Sequence, residues 1–274
     1  MLKIENLDFK YSKKSGLIRD LSLTLGNGTI CGLLGKNGTG KSTLIYLICG
    51  LLRPQFGSIS FNGLNPLDRK VEFLEDVFLV PEEFILPEIK LMDYVRVNSP
   101  FYPNFSETDF LKYLDLFEMS ADVSLGKISM GQKKKVFISF ALACNTSLVI
   151  LDEPTNGLDI TAKRNFRKVI AECMTDEKCI LISTHQVYDV DKILDRVVIM
   201  DKEGILLNNS VEEICKKYKF LYTTDFQRAE KALARIDVPG GYNIVEPLED
   251  PDDETEINLE TLFELVTSSK NLNQ

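Results

Sequence analysis

A glycine-rich loop at residues 35–42, GKNGTGKS, constrains this chain more strongly than any other part of its sequence. The loop follows an apolar run at 30–34 and precedes residues 41–52, whose apolar spacing predicts a helix. It fits the pattern G-x-x-x-x-G-K-[ST], in which glycines allow successive backbone N–H groups to converge on phosphate oxygens. The helix that begins near Lys41 would point its positive end at the same oxygens. The sequence therefore predicts a phosphate-binding loop between a buried strand and a helix.

The residues of this loop are candidate ligands of a nucleotide and its metal ion. Lys41 is predicted to reach the β- and γ-phosphates and to assist catalysis, and the Ser42 hydroxyl is predicted to ligate Mg²⁺. The alternative is a glycine-rich turn that holds no ligand, but the full pattern rarely arises by chance between an apolar strand and a helix. The candidate nucleotide-binding residues of the loop are Gly35, Lys36, Asn37, Gly38, Thr39, Gly40, Lys41, Ser42 and Thr43.

Two acidic residues and the only histidine follow other apolar runs. The run at 148–151 ends in Asp152 and Glu153. Asp152 is predicted to hold Mg²⁺, and Glu153 is predicted to orient or deprotonate the attacking water. His185 follows the apolar run at 179–183, and α/β sheets place ligand groups at the carboxyl ends of their strands, so His185 is predicted to bond the γ-phosphate. The alternatives are an acidic pair that caps a helix and a structural histidine.

Composition and charge argue against several classes of protein. The net charge of −9 disfavours nucleic acid as a partner. The six cysteines include no C-x-x-C pair, which indicates buried thiols in a reducing compartment. The longest candidate for a membrane span, residues 136–151, is shorter than the roughly 20 apolar residues that a crossing requires. We therefore expect that the chain itself does not cross a bilayer.

The hydropathy pattern predicts an α/β fold with a parallel sheet. Apolar and polar residues alternate at 2–9 and 18–25, and a third short strand at 58–63 completes a predicted N-terminal antiparallel β-layer. The short apolar runs at 148–151 and 179–183 are typical of buried parallel strands. A crossover helix at about 162–174 is predicted to join them.

The chain is predicted to divide at about residue 217. Residues 1–217 would form the P-loop core, with a helical subdomain at about 88–145 in which Ser106 caps a helix. Residues 218–274 would form a small acidic α+β lobe. Within the lobe, the pattern predicts a strand at 220–224, a helix at 226–236, a turn at 239–241 and a helix at 259–266.

Taken together, these motifs resemble those of the ATP-binding subunit of an ABC transporter, over about residues 1–215. GKNGTGKST is similar to the Walker A loop, and LVILDEP to Walker B with its following glutamate. NGLD at 156–159 resembles the D-loop, and STH at 183–185 resembles the switch-histidine loop. ISMGQ at 128–132 resembles the signature motif, usually written LSGGQ, which separates ABC cassettes from other P-loop proteins.

The resemblance implies an ATPase that binds ATP and Mg²⁺ in a head-to-tail dimer of two identical or related cassettes. Each ATP would lie between the Walker A loop of one cassette and the signature helix of the other. On this basis Ser129, Gly131 and Gln132 would contact the γ-phosphate in trans, Asp159 would act from the D-loop, and Tyr11 would stack on adenine. For Tyr11, a core tyrosine at the end of a strand is the alternative.

The resemblance also implies a membrane permease on a separate chain, powered by hydrolysis at the cytoplasmic face of the membrane. The pattern is similar to bacterial export-type single cassettes. A soluble ABC ATPase acting on ribosomes or nucleic acid is the alternative. It is disfavoured because the chain has one cassette and only about 106 residues between Lys41 and the LVILDE run. The signature and D-loop motifs disfavour a P-loop kinase.

Two positions depart from the family pattern. Glu82 stands where the Q-loop glutamine would ligate Mg²⁺ and touch the permease, and Met130 replaces the first glycine of the signature. A carboxylate at 82 can still ligate Mg²⁺, and we expect both changes to be compatible with function. The lysine run at 133–135 extends the signature helix with positive charge, either as a solvated helix face or with a role in phosphate binding.

Overall fold

The computed structural model describes residues 1–11, 18–250 and 255–271 of the chain. The predicted α/β class is confirmed. The strands are β1 Leu2–Phe9, β2 Ile18–Leu25, β3 Thr29–Leu34, β4 Phe56–Phe61, β5 Val77–Val80, β6 Leu148–Asp152, β7 Cys179–Thr184, β8 Arg196–Asp201, β9 Gly204–Ser210, β10 Tyr218–Thr223, β11 Ala234–Val238 and β12 Gly241–Pro247. The helices are α1 Lys41–Ile48, α2 Val71–Leu74, α3 Leu91–Asn98, α4 Glu107–Leu116, α5 Met130–Ala143, α6 Ile160–Cys173, α7 Val211–Cys215, α8 Phe226–Lys231 and α9 Leu259–Asn271.

A central sheet with the strand order β5-β6-β7-β3-β8-β9 positions the functional residues. Strands β5, β6, β7, β3 and β8 run parallel, and β9 pairs antiparallel with β8 at the edge. Residues of β6 and β7 are buried throughout, because apolar clusters cover both faces of the sheet. Parallel strands end on the same side, so the segments that follow β3, β6 and β7 meet there.

The predicted N-terminal β-layer is also confirmed. Strands β2, β1 and β4 form an antiparallel sheet, whose buried side chains pack with α1 against one face of the central sheet. The third strand begins at Phe56 and ends at Phe61, two residues earlier at each end than predicted. Helix α1 ends at Ile48 and not at 52, because Gly50 adopts a positive φ of 66° that stops the helix.

The helical region lies on the opposite face of the central sheet. Helices α3, α4 and α5 pack around Phe140, whose ring lies 5.3 Å from Tyr94 and 5.4 Å from Phe105 between centroids. The predicted cap of α4 is present, since Ser106 Oγ accepts the N–H of Asp109 at 3.1 Å. Aromatic packing therefore fixes this region to the sheet.

The C-terminal lobe differs in part from the sequence prediction. The helix predicted at 226–236 ends at Lys231, and Ala234–Val238 forms strand β11. The helical prediction was wrong there because β11 pairs with β12 across the turn at Gly240, and the Leu233 N–H already donates to the Val245 carbonyl at 2.9 Å. The strand order of this sheet is β10-β12-β11.

The lobe packs against the ATPase core over an apolar surface. Phe220, Val245 and Leu262 belong to the same buried cluster as Leu34 and Phe140. Helix α9 lies against β9, β11, β12 and a 3₁₀ turn that follows β7. The division of the chain near residue 217 stays a prediction, since this continuous cluster joins the two parts.

The predicted burial of the cysteine thiols is confirmed for five of the six, and the reducing compartment stays a prediction. All six cysteines are free thiols; Cys215 is half-buried and the others are buried. Burial raises the pKa of Cys49 to about 12 and that of Cys173 to about 11. None of the helices in the described part of the chain combines the length and hydrophobicity that a membrane crossing requires.

Candidate functional site

The predicted phosphate-binding loop lies between β3 and α1, as its pattern requires. Gly38 and Gly40 adopt φ values of 79° and 102°, which L side chains rarely tolerate. A Cβ on Gly35 would lie 2.5 Å from the Met200 carbonyl oxygen on β8. The glycines of the pattern therefore stand where the backbone curls and where it approaches a neighbouring strand.

Lys41 is held inside the loop that it follows. Its Nζ donates to the carbonyls of Gly35 at 2.7 Å and Lys36 at 3.4 Å, and lies 4.0 Å from Glu153 Oε1. Burial lowers the pKa of Lys41, and the charges of Glu153, Asp152 and Glu82 oppose that shift. The ammonium is thus fixed by carbonyls at one end of the loop and faces the carboxylates that follow β5 and β6.

Asp152 offers a buried carboxylate oxygen to a ligand. The side chain is 1% exposed, and Ser183 Oγ donates to its Oδ1. Among the residues that the structure describes, its Oδ2 has no hydrogen-bond partner. A buried carboxylate oxygen without a donor is destabilising, so this atom fits a cation. No cluster of three His, Cys, Asp or Glu side chains stands in the described ranges that could hold a metal. Mg²⁺ often takes only one or two carboxylates and completes its shell with phosphates and water.

Glu153 and His185 meet at the ends of β6 and β7. The Glu153 carboxylate accepts the His185 backbone N–H at 3.1 Å, and His185 Nδ1 lies 2.7 Å from Oε1. Glu153 adopts a positive φ of 46°, and its N–H donates to the Ser183 carbonyl at 3.0 Å. This turn directs the carboxylate towards the switch loop and towards Lys41.

One cavity of about 360 Å³ joins most of the residues that the sequence predicts for catalysis and nucleotide binding. It brings together the P-loop, the residue in the Q-loop position, the acid after β6 and the histidine after β7. Its lining is Asn37, Gly38, Gly40, Lys41, Ser42, Thr43, Glu82, Glu153 and His185. An open, polar cavity at the carboxyl ends of parallel strands is where α/β proteins bind their ligands.

The signature residues lie elsewhere in the same chain. Met130 and Gly131 line a different cavity, of about 760 Å³. Ser129 and Gln132 form a capping box at the start of α5: Ser129 Oγ accepts the Gln132 N–H at 3.2 Å, and Gln132 Oε1 accepts the Ser129 N–H at 3.0 Å. The predicted roles of Ser129, Gly131 and Gln132 at a nucleotide stay predictions.

Asp159 and Tyr11 also lie outside the P-loop cavity lining. The Asp159 carboxylate caps α6 by accepting the Ala162 N–H at 2.7 Å. Tyr11 is 64% exposed; its ring packs edge-on against Phe9 and its hydroxyl lies 3.1 Å from Thr43 Oγ1. The exposed ring is therefore tied to the P-loop helix, and its stacking on adenine stays a prediction, as does the nucleotide role of Asp159.

Sequence reasoning missed three groups at the site. The sequence shows Lys134 as one residue of a charged run, but the side chain is buried. Its helical spacing with the apolar residues Ile138 and Ala141 places it on the buried face of α5, and that spacing could have indicated its burial. Asn156 and Gln186 link the loops after β6 and β7, with 3.1 Å between Asn156 Oδ1 and Gln186 Nε2. The acidic lobe also reaches the site: Glu260, Phe263 and Glu264 of α9 line a cavity with Lys36 and His185. No local pattern in the lobe indicated that placement.

Fold and site define a P-loop protein in which the glycine-rich loop and the carboxylates of Asp152 and Glu153 meet at the carboxyl ends of a parallel sheet. A family model described as "ABC transporter" matches residues 18–156. The chain therefore belongs to the ATP-binding subunits of ABC transporters. Members of this family hydrolyse ATP, so the predictions of ATP binding and of ATPase activity are confirmed at the level of the family.

Known proteins similar to the chain agree with this assignment. The energy-coupling factor transporter ATP-binding protein EcfA2 of Caldanaerobacter subterraneus subsp. tengcongensis is 30% identical over 232 residues, 79% of this chain and 81% of the relative. The ABC transporter ATP-binding protein YtrB of Bacillus subtilis is 24% identical over 268 residues, 90% of this chain and 91% of the relative. The solved structure of cbiO1 from Clostridium perfringens, part of the cbiONQ transporter complex, has a TM-score of 0.65 at 27% identity, covering 78% of this chain and 89% of cbiO1.

Proposed function

We propose that this subunit powers a separate membrane permease through ATP-driven closure of a two-cassette dimer. The observation that carries the proposal is the separation of the two half-sites within one chain. The P-loop and Glu153 share one cavity, whereas Met130 and Gly131 line another. A signature helix that lies outside its own chain's P-loop cavity is available to a nucleotide on a second chain.

Within each P-loop cavity, we assign phosphate binding, Mg²⁺ binding and activation of water to different residues. The backbone of 35–43 and Lys41 would bind the phosphates, and Ser42, Asp152 and Glu82 would hold Mg²⁺, which neutralises phosphate charge when bound. Glu153 would orient or deprotonate the attacking water, and its contact with His185 would hold the carboxylate in place.

The contacts at the nucleotide's ends complete the proposed site. His185, 35% exposed at its side chain, would donate to the γ-phosphate from the side of the switch loop. Tyr11 would stack on adenine beside the P-loop helix. From the second cassette, Ser129, Gly131 and Gln132 would present the start of α5 to the γ-phosphate, with Asp159 in the adjoining D-loop. ATP would then contact both subunits at once, and hydrolysis would remove the shared contact.

Complementation between two inactive variants tests the composite site. Lys41→Met removes the P-loop ammonium, and Ser129→Asp places a negative charge where the γ-phosphate would bind while keeping a good helix cap. We expect each variant alone to lose most ATP hydrolysis. A mixture should regain activity, because a heterodimer then holds one intact P-loop opposite one intact signature helix. Phosphate release by each variant and by the equimolar mixture is the measurement.

The double variant Lys41→Met/Ser129→Asp, mixed with wild-type chain, is the matched control. Its heterodimers hold no site in which both halves are intact, so it should lower the activity of the wild-type chain. If the two single variants mixed together stayed as inactive as each one alone, the composite site would be rejected.

Exposed apolar side chains support a permease as the partner. Ile85, three residues after Glu82, is 97% exposed. Leu51, Val71 and Phe101 line a cavity of about 390 Å³. Such apolar surface, exposed on a chain with a net charge of −9, is typical of a protein contact. EcfA2 and cbiO1 belong to transporter complexes, and we propose that this chain likewise works at the cytoplasmic face of a membrane.

Membrane association gives a second test. The chain is expected to pellet with membranes when it is produced together with the multi-span protein of a neighbouring gene, and Ile85→Asp should reduce that fraction several-fold while ATPase activity remains. Leu233→Asp changes a comparably apolar side chain, 48% exposed in the C-terminal lobe, and serves as the control. Equal pelleting of all three chains would argue against Ile85 as a contact, and pelleting with ribosomes would favour the soluble alternative.

A further inference from the structure

Lys134 is the lysine of the 133–135 run that is buried, at 4% exposure. Its Nζ donates to the carbonyls of Glu153 at 3.1 Å and Asn156 at 3.0 Å. Burial lowers its pKa, and the charges of Glu82, Glu153 and Asp152 oppose the shift. Burying an ammonium costs free energy, so a side chain that only filled space here would be apolar. The hydrogen bonds to the two carbonyls offset that cost for Lys134.

The turn at residues 153–156, which accepts these hydrogen bonds, begins with a residue in an unfavourable backbone conformation. Glu153 adopts a φ of 46°, in the left-handed region that residues other than glycine rarely adopt. Its carbonyl also accepts the Asn156 N–H at 3.3 Å, which closes the turn. Helix α5 approaches this segment closely, since a Cβ on Gly131 would lie 3.0 Å from the Gly157 carbonyl oxygen. Two residues one turn apart on α5 thus contact residues 153–157.

Asn156 extends the same network to both neighbouring loops. Its Nδ2 donates to Glu82 Oε1 at 3.0 Å, and its Oδ1 accepts the Gln186 Nε2 at 3.1 Å. The turn that carries Glu153 is therefore bonded to α5, to the loop after β5 and to the loop after β7. Asn156 bonds the carbonyl of Glu153 from within the turn, and Lys134 is the member of this network that bonds it from α5.

We propose that Lys134 is a positioning residue for ATP hydrolysis. Its ammonium holds the 153–156 turn in the conformation that directs the Glu153 carboxylate to His185 and the P-loop cavity. The inference rests on the proposed role of Glu153 at the attacking water. Because Lys134 lies on α5, the signature helix that Ser129 caps, the orientation of Glu153 depends on where that helix lies in the same chain.

Kinetics of matched variants test the proposal. Lys134→Met removes the ammonium and keeps an unbranched stem, and Lys134→Arg keeps charged donors. We expect Lys134→Met to lower kcat by about 10–100-fold, as small misplacements of a catalytic group do, with KM and nucleotide affinity within about twofold of wild type. Lys134→Arg should recover part of kcat. Lys168→Met, at an exposed lysine of α6, should leave kcat unchanged.

The readouts separate positioning from stability. Fluorescent-nucleotide titration and thermal unfolding are measured on each variant; if Lys134→Met does not fold, Lys134→Leu, which also lacks a donor, replaces it with the same expectation. In the Glu153→Gln background, Lys134→Met should cause no further loss of activity, because both act through one group. An unchanged kcat in Lys134→Met, or equal losses of kcat and of nucleotide affinity, would overturn the proposal.

The result for Glu153→Gln distinguishes a failure of the proposed function from a failure of the positioning role of Lys134. If Glu153→Gln hydrolysed ATP at the wild-type rate, the role of Glu153 would be rejected, whatever the result at Lys134. If Glu153→Gln were inactive and Lys134→Met kept its kcat, the positioning role alone would be rejected.

Discussion

Glu153→Gln is expected to reduce ATP hydrolysis by about 10²–10⁴-fold, the contribution typical of a positioned general base. The amide keeps the size of the side chain and can still accept the His185 N–H, but it cannot take a proton from water. Because the P-loop is the proposed nucleotide-binding element, we expect nucleotide binding to persist while hydrolysis fails. The variant should therefore accumulate as ATP-loaded dimers, which light scattering with and without ATP and Mg²⁺ would detect.

The control for this variant is Glu177→Gln, which removes an exposed carboxylate from the turn before β7. It should hydrolyse ATP like the wild-type chain and should not accumulate dimers. A Glu153→Gln variant with an unchanged rate would show that another group activates the water. A Glu153→Gln variant that is inactive but stays monomeric with ATP would support the role of Glu153 as the base and would argue against closure of the dimer.

Leu262→Ala is expected to destabilise the whole protein by about 2–5 kcal/mol, the usual cost of removing a fully buried leucine. Leu262 lies on α9 with no exposed surface, in the apolar cluster that also contains Leu34 of the P-loop strand. Because this cluster joins lobe and core, we expect a single unfolding transition shifted to lower denaturant concentration. Urea unfolding followed by circular dichroism is the measurement.

Leu233→Ala in the same lobe is the matched control, because Leu233 is 48% exposed and should change stability little. Two separate transitions, with only the smaller one shifted by Leu262→Ala, would show that the lobe unfolds by itself. That outcome would support the predicted division near residue 217 and would contradict the coupling that the shared cluster implies.

The side chains that meet in the P-loop cavity could be predicted because each of them is encoded locally. The glycines of 35–42, the carboxylates after the 148–151 run and the histidine after the 179–183 run are each readable from a few adjacent residues. Parallel strands bring their carboxyl ends to one edge, so local predictions combined correctly in space. The cavity that joins Lys41, Glu82, Glu153 and His185 follows from that rule.

The errors and omissions concern residues whose secondary structure, burial or hydrogen bonding depends on partners that are distant in the sequence. Residues 226–236 look helical in isolation, but pairing with β12 converts Ala234–Val238 into a strand. Lys134 reads as one charge among three, and only the contact of α5 with the 153–157 turn makes it a buried donor. Glu82 and Asn156 are 74 residues apart in sequence and share a hydrogen bond.

The amino-acid sequence by itself thus determined the family, the α/β class and the side chains that line the P-loop cavity, because glycine-dependent turns and the residues at strand ends are local features of the sequence. The tertiary structure decided which lysine of the signature helix is buried, where the acidic lobe lies and how the loops after β5, β6 and β7 are bonded together. These depend on burial and hydrogen bonding between segments far apart in the chain, and such contacts exist only once the chain is folded.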